Sequence, residues 1–384
     1  MKVAFLTNFL THHQVPFCEI MYKNLGADFH VIVMRPTATE QKQLGYKELN
    51  DVYPFVVRTY ESDAEDVKAM SICEDADVVI WGSAPAKYTA KRLECNKLTL
   101  IYTERIFKKG IKHILHPAML KYMYRKFTLQ RHKNQYYLCA GAYVARDVNP
   151  FTHTPEKFLK WGYFPATKEY EDIDALIAKK KKNSIIWVAR YIDWKHPEIA
   201  VEIARRLKKD GYEFELKMLG NGTMLDAITK MVEEKGLKDC VHILGGVPSD
   251  EVREHMENAE IHIFTSDRQE GWGAVLNESM NSGCAVIANK DIGAAPFLLK
   301  NSENGFLYTN VNDLYEKVVY LLNHPQKRVE ISKNAYFTIM QEWNAEIATK
   351  RLLQYMGALS EKGHVSFVNG PCSAAPVLRG NSYK

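Results

Sequence analysis

Apolar residues in the first half of the chain fall in short runs, KVAFLTN, DFHVIVMRP, DADVVIWG, KLTLIYT and QYYLCAG, apolar at consecutive rather than alternate positions. Such runs predict strands covered on both faces, as in parallel sheets. Helix-length segments separate them, so the pattern predicts βαβ units. From Asn183 the rhythm restarts. Strands NSIIWVAR, EFELKMLG, CVHILGG, EIHIFTS, CAVIANK and NGFLYTN alternate with helices HPEIAVEIARRLKKDG, TMLDAITKMVEEKG, PSDEVREHMENA and VLNESMNSG, most of them closed by glycine. The reading is therefore α/β, with two doubly wound parallel-sheet domains. The predicted boundaries are a first domain over 1–171, a charged linker over 172–183 (DIDALIAKKKKN), a second domain over 184–326, and a last segment over 327–384. That segment starts as a long helix, about 327–357, expected to pack back on the first domain, and ends in a tail without periodicity.

The length of 384 residues agrees with two domains at about 100–200 residues each. The 46% hydrophobic and 25% charged content is that of a globular chain. The apolar run at the start is broken by Thr7 and Asn8, shorter than a secretory leader requires. No stretch reaches the ~18 apolar residues of a membrane span. The expected location is cytoplasmic, with a peripheral position at the inner face of the cell membrane open. Seven scattered cysteines without metal-ligand spacing read as buried thiols, with no metal site. The net charge of +5 is uneven: between Arg105 and Lys133 lie Lys108, Lys109, Lys112, Lys121, Arg125, Lys126 and Arg131 and no acid. Apolar residues interleave with these cations, as in a helix at a membrane surface, and a solvated basic face is the equal alternative.

The densest chemistry is SDRQEGWGAVLNESMNSG, residues 266–283, which follows the strand EIHIFTS. Ligands of open α/β sheets bind beyond the carboxyl ends of strands. Gly271 and Gly273 let backbone approach a ligand at the start of a helix, which favours an anion such as a diphosphate, so Gly271, Trp272, Gly273, Ala274 and Val275 are the expected donor-binding run. Glu278 can offer both oxygens to the vicinal hydroxyls of a ribose, or be a solvated helix residue; Glu270 would sit nearer a sugar.

EGWGAVLNESMNSGCAVIA resembles the E-x7-E segment of retaining glycosyltransferases of the GT-B fold, family 4, the group 1 enzymes of bacterial polysaccharide biosynthesis. VARYIDWKHPEIAVEIA resembles that family's Gly-Arg-x4-Lys turn, with Ala189 where glycine is usual. MLGNGTMLD (Gly220, Asn221) and HILGGVPSDEV (Val247) resemble its Gly-x-Gly and base-contacting loops. The resemblance implies two Rossmann-like domains facing a cleft, acceptor on the first and donor on the second. It also implies transfer with retention from a nucleoside-diphosphate sugar, UDP-linked first and GDP-linked next, the leaving phosphate taking the acceptor proton. The implied acceptor is a polysaccharide or lipid-linked glycan, with contact to an anionic membrane open and nucleic acid not expected. Arg190 and Lys195 would stabilise the departing diphosphate as a divalent metal does elsewhere, so neither metal nor cofactor is expected. Asp75-Ala-Asp77 and Asp172-Ile-Asp174 read as incidental.

Three features depart from the family pattern or stay open. The glycine pair after the first strand is replaced by NFLTHHQVP, so His12, His13 and Gln14 face the expected cleft, to bind acceptor or phosphate or to cap a helix. Glu104 and Arg105 end a strand there, Glu104 as a base-like catalytic partner or to orient the acceptor hydroxyl, or both as a structural pair. GAAPFLL has Phe297 where relatives often carry glutamate, which puts a sugar contact or a packing role in doubt. The alternatives are a nucleotide-sugar 2-epimerase of the same fold and a non-catalytic glycan- or nucleic-acid-binding module.

Overall fold

The computed structural model describes residues 1–38, 47–112, 116–361 and 363–378. The chain divides into two compact units: Met1–Ala166 together with Asn344–Lys384, and Thr167–Trp343.

Unit 1 carries β1 (Val3–Thr7), β2 (Phe29–Val33), β3 (Val56–Arg58), β4 (Val78–Trp81), β5 (Thr99–Glu104), β6 (Gln135–Ala140) and β7 (Phe158–Trp161). Its helices are α1 (Val15–Leu25), α2 (Asp63–Asp75), α3 (Ala90–Glu94), α4 (Pro117–Met123) and α5 (Val144–Thr152). The described strands form one seven-stranded parallel sheet in the order β3-β2-β1-β4-β5-β6-β7. Leu6, Val31, Val79, Leu100 and Leu138 are fully buried on it, which accounts for the unbroken apolar runs. Ser62 caps α2, its hydroxyl accepting from the Glu65 N–H at 3.2 Å, and Asp63, Glu65 and Asp66 occupy the first turn. Arg92 is buried and donates to the carbonyls of Cys73, Ala76, Asp77 and Leu98, binding α3 to the ends of α2 and β5.

Unit 2 carries β8 (Ser184–Val188), β9 (Glu215–Leu219), β10 (Val241–Gly245), β11 (Ile261–Phe264), β12 (Ala285–Asn289) and β13 (Phe306–Tyr308). They lie in the order β10-β9-β8-β11-β12-β13, again parallel. Around them run α6 (Ile173–Lys179), α7 (Pro197–Lys209), α8 (Leu225–Glu234), α9 (Ser249–Asn258), α10 (Val275–Asn281), α11 (Ala295–Leu298), α12 (Val311–Asn323) and α13 (Pro325–Gln341). Gly211, Gly236 and Gly283 stand at positive φ just past α7, α8 and α10, as expected of helix-closing glycines.

Three boundaries differ from the sequence reading. The charged stretch 172–183 is not a linker: α6 packs Ile173 and Ile177 against Tyr336 within unit 2. Lys180 follows it into the interior and donates to the carbonyls of Met256 (2.9 Å), Ala259 (2.9 Å) and Ser282 (2.8 Å). Burial lowers its pKa, and the three carbonyls take the place of water. The long last helix is two, α13 in unit 2 and α14 (Ala345–Ser360) in unit 1. Asn344 forces the break as N-cap of α14, accepting from the Ile347 N–H at 3.0 Å. α14 lies against α1. The tail then runs antiparallel along β7: Lys160 N–H donates to Ser373 (2.7 Å), Cys372 N–H to Lys160 (2.8 Å) and Ala375 N–H to Phe158 (2.9 Å). Residues 379–384 lie outside the described residues.

Both Asp-x-Asp pairs have structural work. Asp77 accepts from the Lys2 N–H at 2.8 Å, Asp172 caps α6, and Asp174 pairs with Lys333. Of the seven free cysteines, Cys95 is exposed and the others are buried. No helix among the described residues is long and apolar enough to cross a membrane.

Candidate functional site

In each sheet the strand order reverses beside the unit's first strand, between β1 and β4 and between β8 and β11, the place where open α/β sheets bind ligands. In unit 2 the loops leaving β8, β9 and β10 are laced together by main chain. Ala189 N–H donates to Leu219, Tyr191 N–H to Asn221 (2.9 Å) and Gly220 N–H to Gly245 (2.7 Å). Gly220 has φ +134°, and a Cβ there would lie 1.9 Å from the Ala189 carbonyl oxygen, so the close approach requires glycine. The Asn221 side chain accepts from the Gly246 N–H at 2.9 Å. Gly220 and Asn221 thus shape the floor of the loops, and Val247 follows Gly246, half-buried.

Across the switch point, the loop after β8 is clasped to the loop after β11. Lys195, at the end of a 3-10 turn and buried, is ion-paired with Glu270. Its ammonium lies 4.4 Å from the ring centre of Trp194 and 5.6 Å from that of Phe264. Arg190, exposed, lies 5.4 Å from the same Trp194 ring, so both predicted cations flank one indole. Asp267 N–H donates to the Trp194 carbonyl at 3.0 Å, and Thr265 Oγ1 donates to that of Lys195 at 2.6 Å. His196 completes the clasp, with Nδ1 2.8 Å from Glu198 and Nε2 3.5 Å from Asp267. The hydrogen bond to Asp267 and then that to Glu198 raise its pKa to about 9, so the ring is a cation at neutral pH. It occupies the left-handed region at φ 52°, strain of order 1–3 kcal/mol in a non-glycine residue.

The loop turns at Gly273, φ +93°, where a Cβ would meet the Phe264 ring at 2.8 Å and Glu270 Cγ at 3.2 Å. Gly271, Trp272, Gly273 and Ala274 are all buried. Trp272 is 1% exposed, its Nε1 donating to Asn277 at 2.9 Å. It packs on Phe297 and Trp343, so Phe297 serves as part of an aromatic stack. Val275 begins α10, which is only seven residues long, so positive charge here comes from Arg190 and Lys195 more than from a helix dipole. Glu278, half-buried, stands in the first turn of α10, with Arg253 the charge that acts on it.

In unit 1 the switch point opens into a cavity of 1530 Å³, lined among others by Thr7, His13, Gln14, Trp81, Glu104 and Lys126. Gln14 serves the turn: its Oε1 accepts from Thr11 N–H and Oγ1, and its Nε2 donates to Thr7 Oγ1 at 3.3 Å. Neither histidine caps α1, whose N-cap is Gln14. His13 stacks on Tyr163 with ring centres 5.9 Å apart, and exposed His12 lies against His13. Glu104 pairs with Lys108 and accepts from Tyr163 Oη rather than meeting Arg105. Arg105 is not an open acceptor group. Its side chain is 1% exposed, 3.9 Å from Asp147 and over the Tyr143 ring, while Asp147 also accepts from the N–H groups of Ile106 (2.9 Å) and Phe107 (3.0 Å). This is a buried charge hub joining β5 to α5.

The basic segment is not one membrane-type helix. α4 ends at Met123, a π-turn follows over Tyr124–Thr128, and Met123 and Phe127 point into the core. Residues 113–115 lie outside the described residues.

Residues 169–337 match the family described as glycosyl transferases group 1. The match covers nearly the whole of the second unit, Thr167–Trp343. Over 192 residues the chain is 28% identical to a trehalose synthase of Pyrococcus horikoshii, covering 48% of this chain and 45% of that protein. It is 26% identical over 184 residues to the amylovoran biosynthesis glycosyltransferase AmsK of Erwinia amylovora, covering 46% and 45%. The chain thus spans about half the length of these relatives. In structure it is similar to Anabaena HepE, solved in complex with UDP and glucose: TM-score 0.65, 15% identity, 93% of this chain and all of that one. The fold is GT-B. Within the matched residues the sequence pattern marked Arg190, Lys195 and Glu270; it did not mark Trp194, His196, Thr265 or Asp267. The available signal was His196 directly before Pro197, a proline at the first helical position that makes the histidine an N-cap.

Proposed function

We propose that the protein is a retaining glycosyltransferase that moves a sugar from a nucleoside-diphosphate sugar, UDP-linked first and GDP-linked next, to a polysaccharide or lipid-linked glycan, without a divalent metal. The observation that carries this is the pairing of Lys195 with Glu270 at the switch point of the group 1 domain, with Arg190 on the other side of Trp194. A bound diphosphate would draw both cations onto its oxygens and leave the Glu270 carboxylate to the sugar. In the reaction the bond from the sugar's anomeric carbon to the diphosphate oxygen breaks, and a bond from that carbon to the acceptor oxygen forms. The acceptor proton passes to the leaving diphosphate. The chain's part is position and charge. HepE, with its UDP and glucose, and AmsK, named for polysaccharide synthesis, support the donor and acceptor classes. Exposed Ile111, Leu120, Tyr122, Tyr124 and Leu129 among the cations of unit 1 support contact with an anionic membrane surface.

The test is thermal unfolding of the wild type, Arg190→Ala and Glu278→Ala with UDP, GDP or ADP, with and without EDTA. A nucleotide at 100 times its Kd adds about 2.7 kcal/mol to stability. The expected result is a shift with one nucleotide that survives EDTA and is lost in both variants. No shift with any nucleotide in a folded sample would overturn the reading.

A further inference from the structure

The cavity of unit 1 gathers more positive charge than its walls neutralise. Lys108 is paired with Glu104, and Arg105 lies beside Asp147. Lys121, Arg125, Lys126 and Lys133 line the same cavity, and none of these four is ion-paired with a described residue. Glu94 is the other carboxylate among the lining residues. Lys126 Nζ is held 4.6 Å from the ring centre of Trp81 and 5.4 Å from that of Tyr122, contacts that fix a cation without cancelling its charge. Like charges gathered around one volume repel, and the repulsion persists until an anion enters. The cavity also lies beyond the ends of β1 and β4, at the reversal of strand order.

We infer that this cavity holds the acceptor by a phosphate or diphosphate group, with Lys121, Arg125, Lys126 and Lys133 supplying the charge. The inference rests on the function proposed above and adds the acceptor's chemistry. An excess of several cations around one compact volume matches a group that concentrates multiple negative charges. A diphosphate does so and a single carboxylate does not, and Arg125 adds a planar fork suited to phosphate oxygens. The volume of 1530 Å³ exceeds the roughly 300–1,000 Å³ of a usual small-molecule site, so a sugar fits beside the phosphate.

The experiment is calorimetric titration of the full chain with inorganic pyrophosphate in saturating UDP, which fills the donor site, using the wild type, Arg125→Gln with Lys126→Gln, and Arg125→Lys with Lys126→Arg. UDP binding and thermal melts are read on the same samples. The expected result is a loss of about tenfold or more in pyrophosphate affinity in the glutamine variant. The charge-conserving variant should keep most of the wild-type affinity. Equal binding by wild type and glutamine variant, or no binding by the wild type, would overturn the inference. With UDP binding intact, any of these results leaves the donor reading standing. Phosphatidylcholine vesicles with and without a polyprenyl diphosphate separate the sources. Tighter binding to the loaded vesicles, lost in the glutamine variant, places the phosphate on a lipid; pyrophosphate binding with no gain from vesicles places it on a soluble acceptor.

Discussion

The two units repeat one strand order and treat its reversal point differently. Unit 2 closes it with a clasp: Lys195 to Glu270, His196 to Asp267, and main chain between Trp194 and Asp267. Unit 1 leaves it open as a basic cavity and buries its ion pair, Arg105 with Asp147, behind the wall. Charge buried in a fixed pair supports architecture, whereas charge held at a loop edge stays available to exchange partners with a ligand.

Four substitutions break or sharpen this contrast. The largest stability effect is expected in unit 1: Asp147→Ala strands a buried guanidinium and two N–H groups, for a loss of about 3–5 kcal/mol in chemical denaturation. Lys195→Ala, whose pair with Glu270 keeps about a tenth of each side chain in water, should cost less stability than Asp147→Ala and, on the proposed mechanism, lower kcat/KM by about 10²–10³. A melt that collapses as that of Asp147→Ala does would make the clasp purely structural. Gly273→Ala drives a methyl against Phe264 and Glu270 and should cost about 1–3 kcal/mol, with activity reduced along with stability.

The smallest effect is that of His196. Its folded pKa of about 9 lies above the ordinary 6.5, so its contribution is complete below pH 6.5 and disappears as pH rises through 9. With the ring and both carboxylates partly in water, screening limits it to about 1–2 kcal/mol. Denaturation of wild type and His196→Gln between pH 6 and 10 should therefore converge at the alkaline end; parallel curves would remove the charge from the account.

The central strands were legible because burial on both faces writes consecutive apolar residues. β3, three residues long at the sheet edge, and β7, with Lys160 inside FLKW, carry too little of that signal. The run of lysines after Ala178 hid α6, because Lys180 is charged and yet buried against three carbonyls. Ile173 and Ile177, four apart, were the readable sign of a helix face. Asn344 as a cap was likewise readable, within a stretch whose periodicity continues across it. The loops carrying Arg190, Lys195 and Glu270 announced themselves by glycine and charge. That Lys195 meets Glu270, 75 residues away, while Glu104 meets Lys108 instead of adjacent Arg105, is decided by the tertiary fold.

The return of the chain to β7 also orders events during synthesis. Unit 2 is one continuous stretch and can close its core once residue 343 has left the ribosome. Unit 1, begun first, lacks α14 and the antiparallel cover of its β7 edge until residue 375 emerges. The earlier-made unit is thus the later one to mature. A nascent chain halted with residue 345 just clear of the ribosome should present a protease-resistant second unit beside a first unit still open to cleavage along β7.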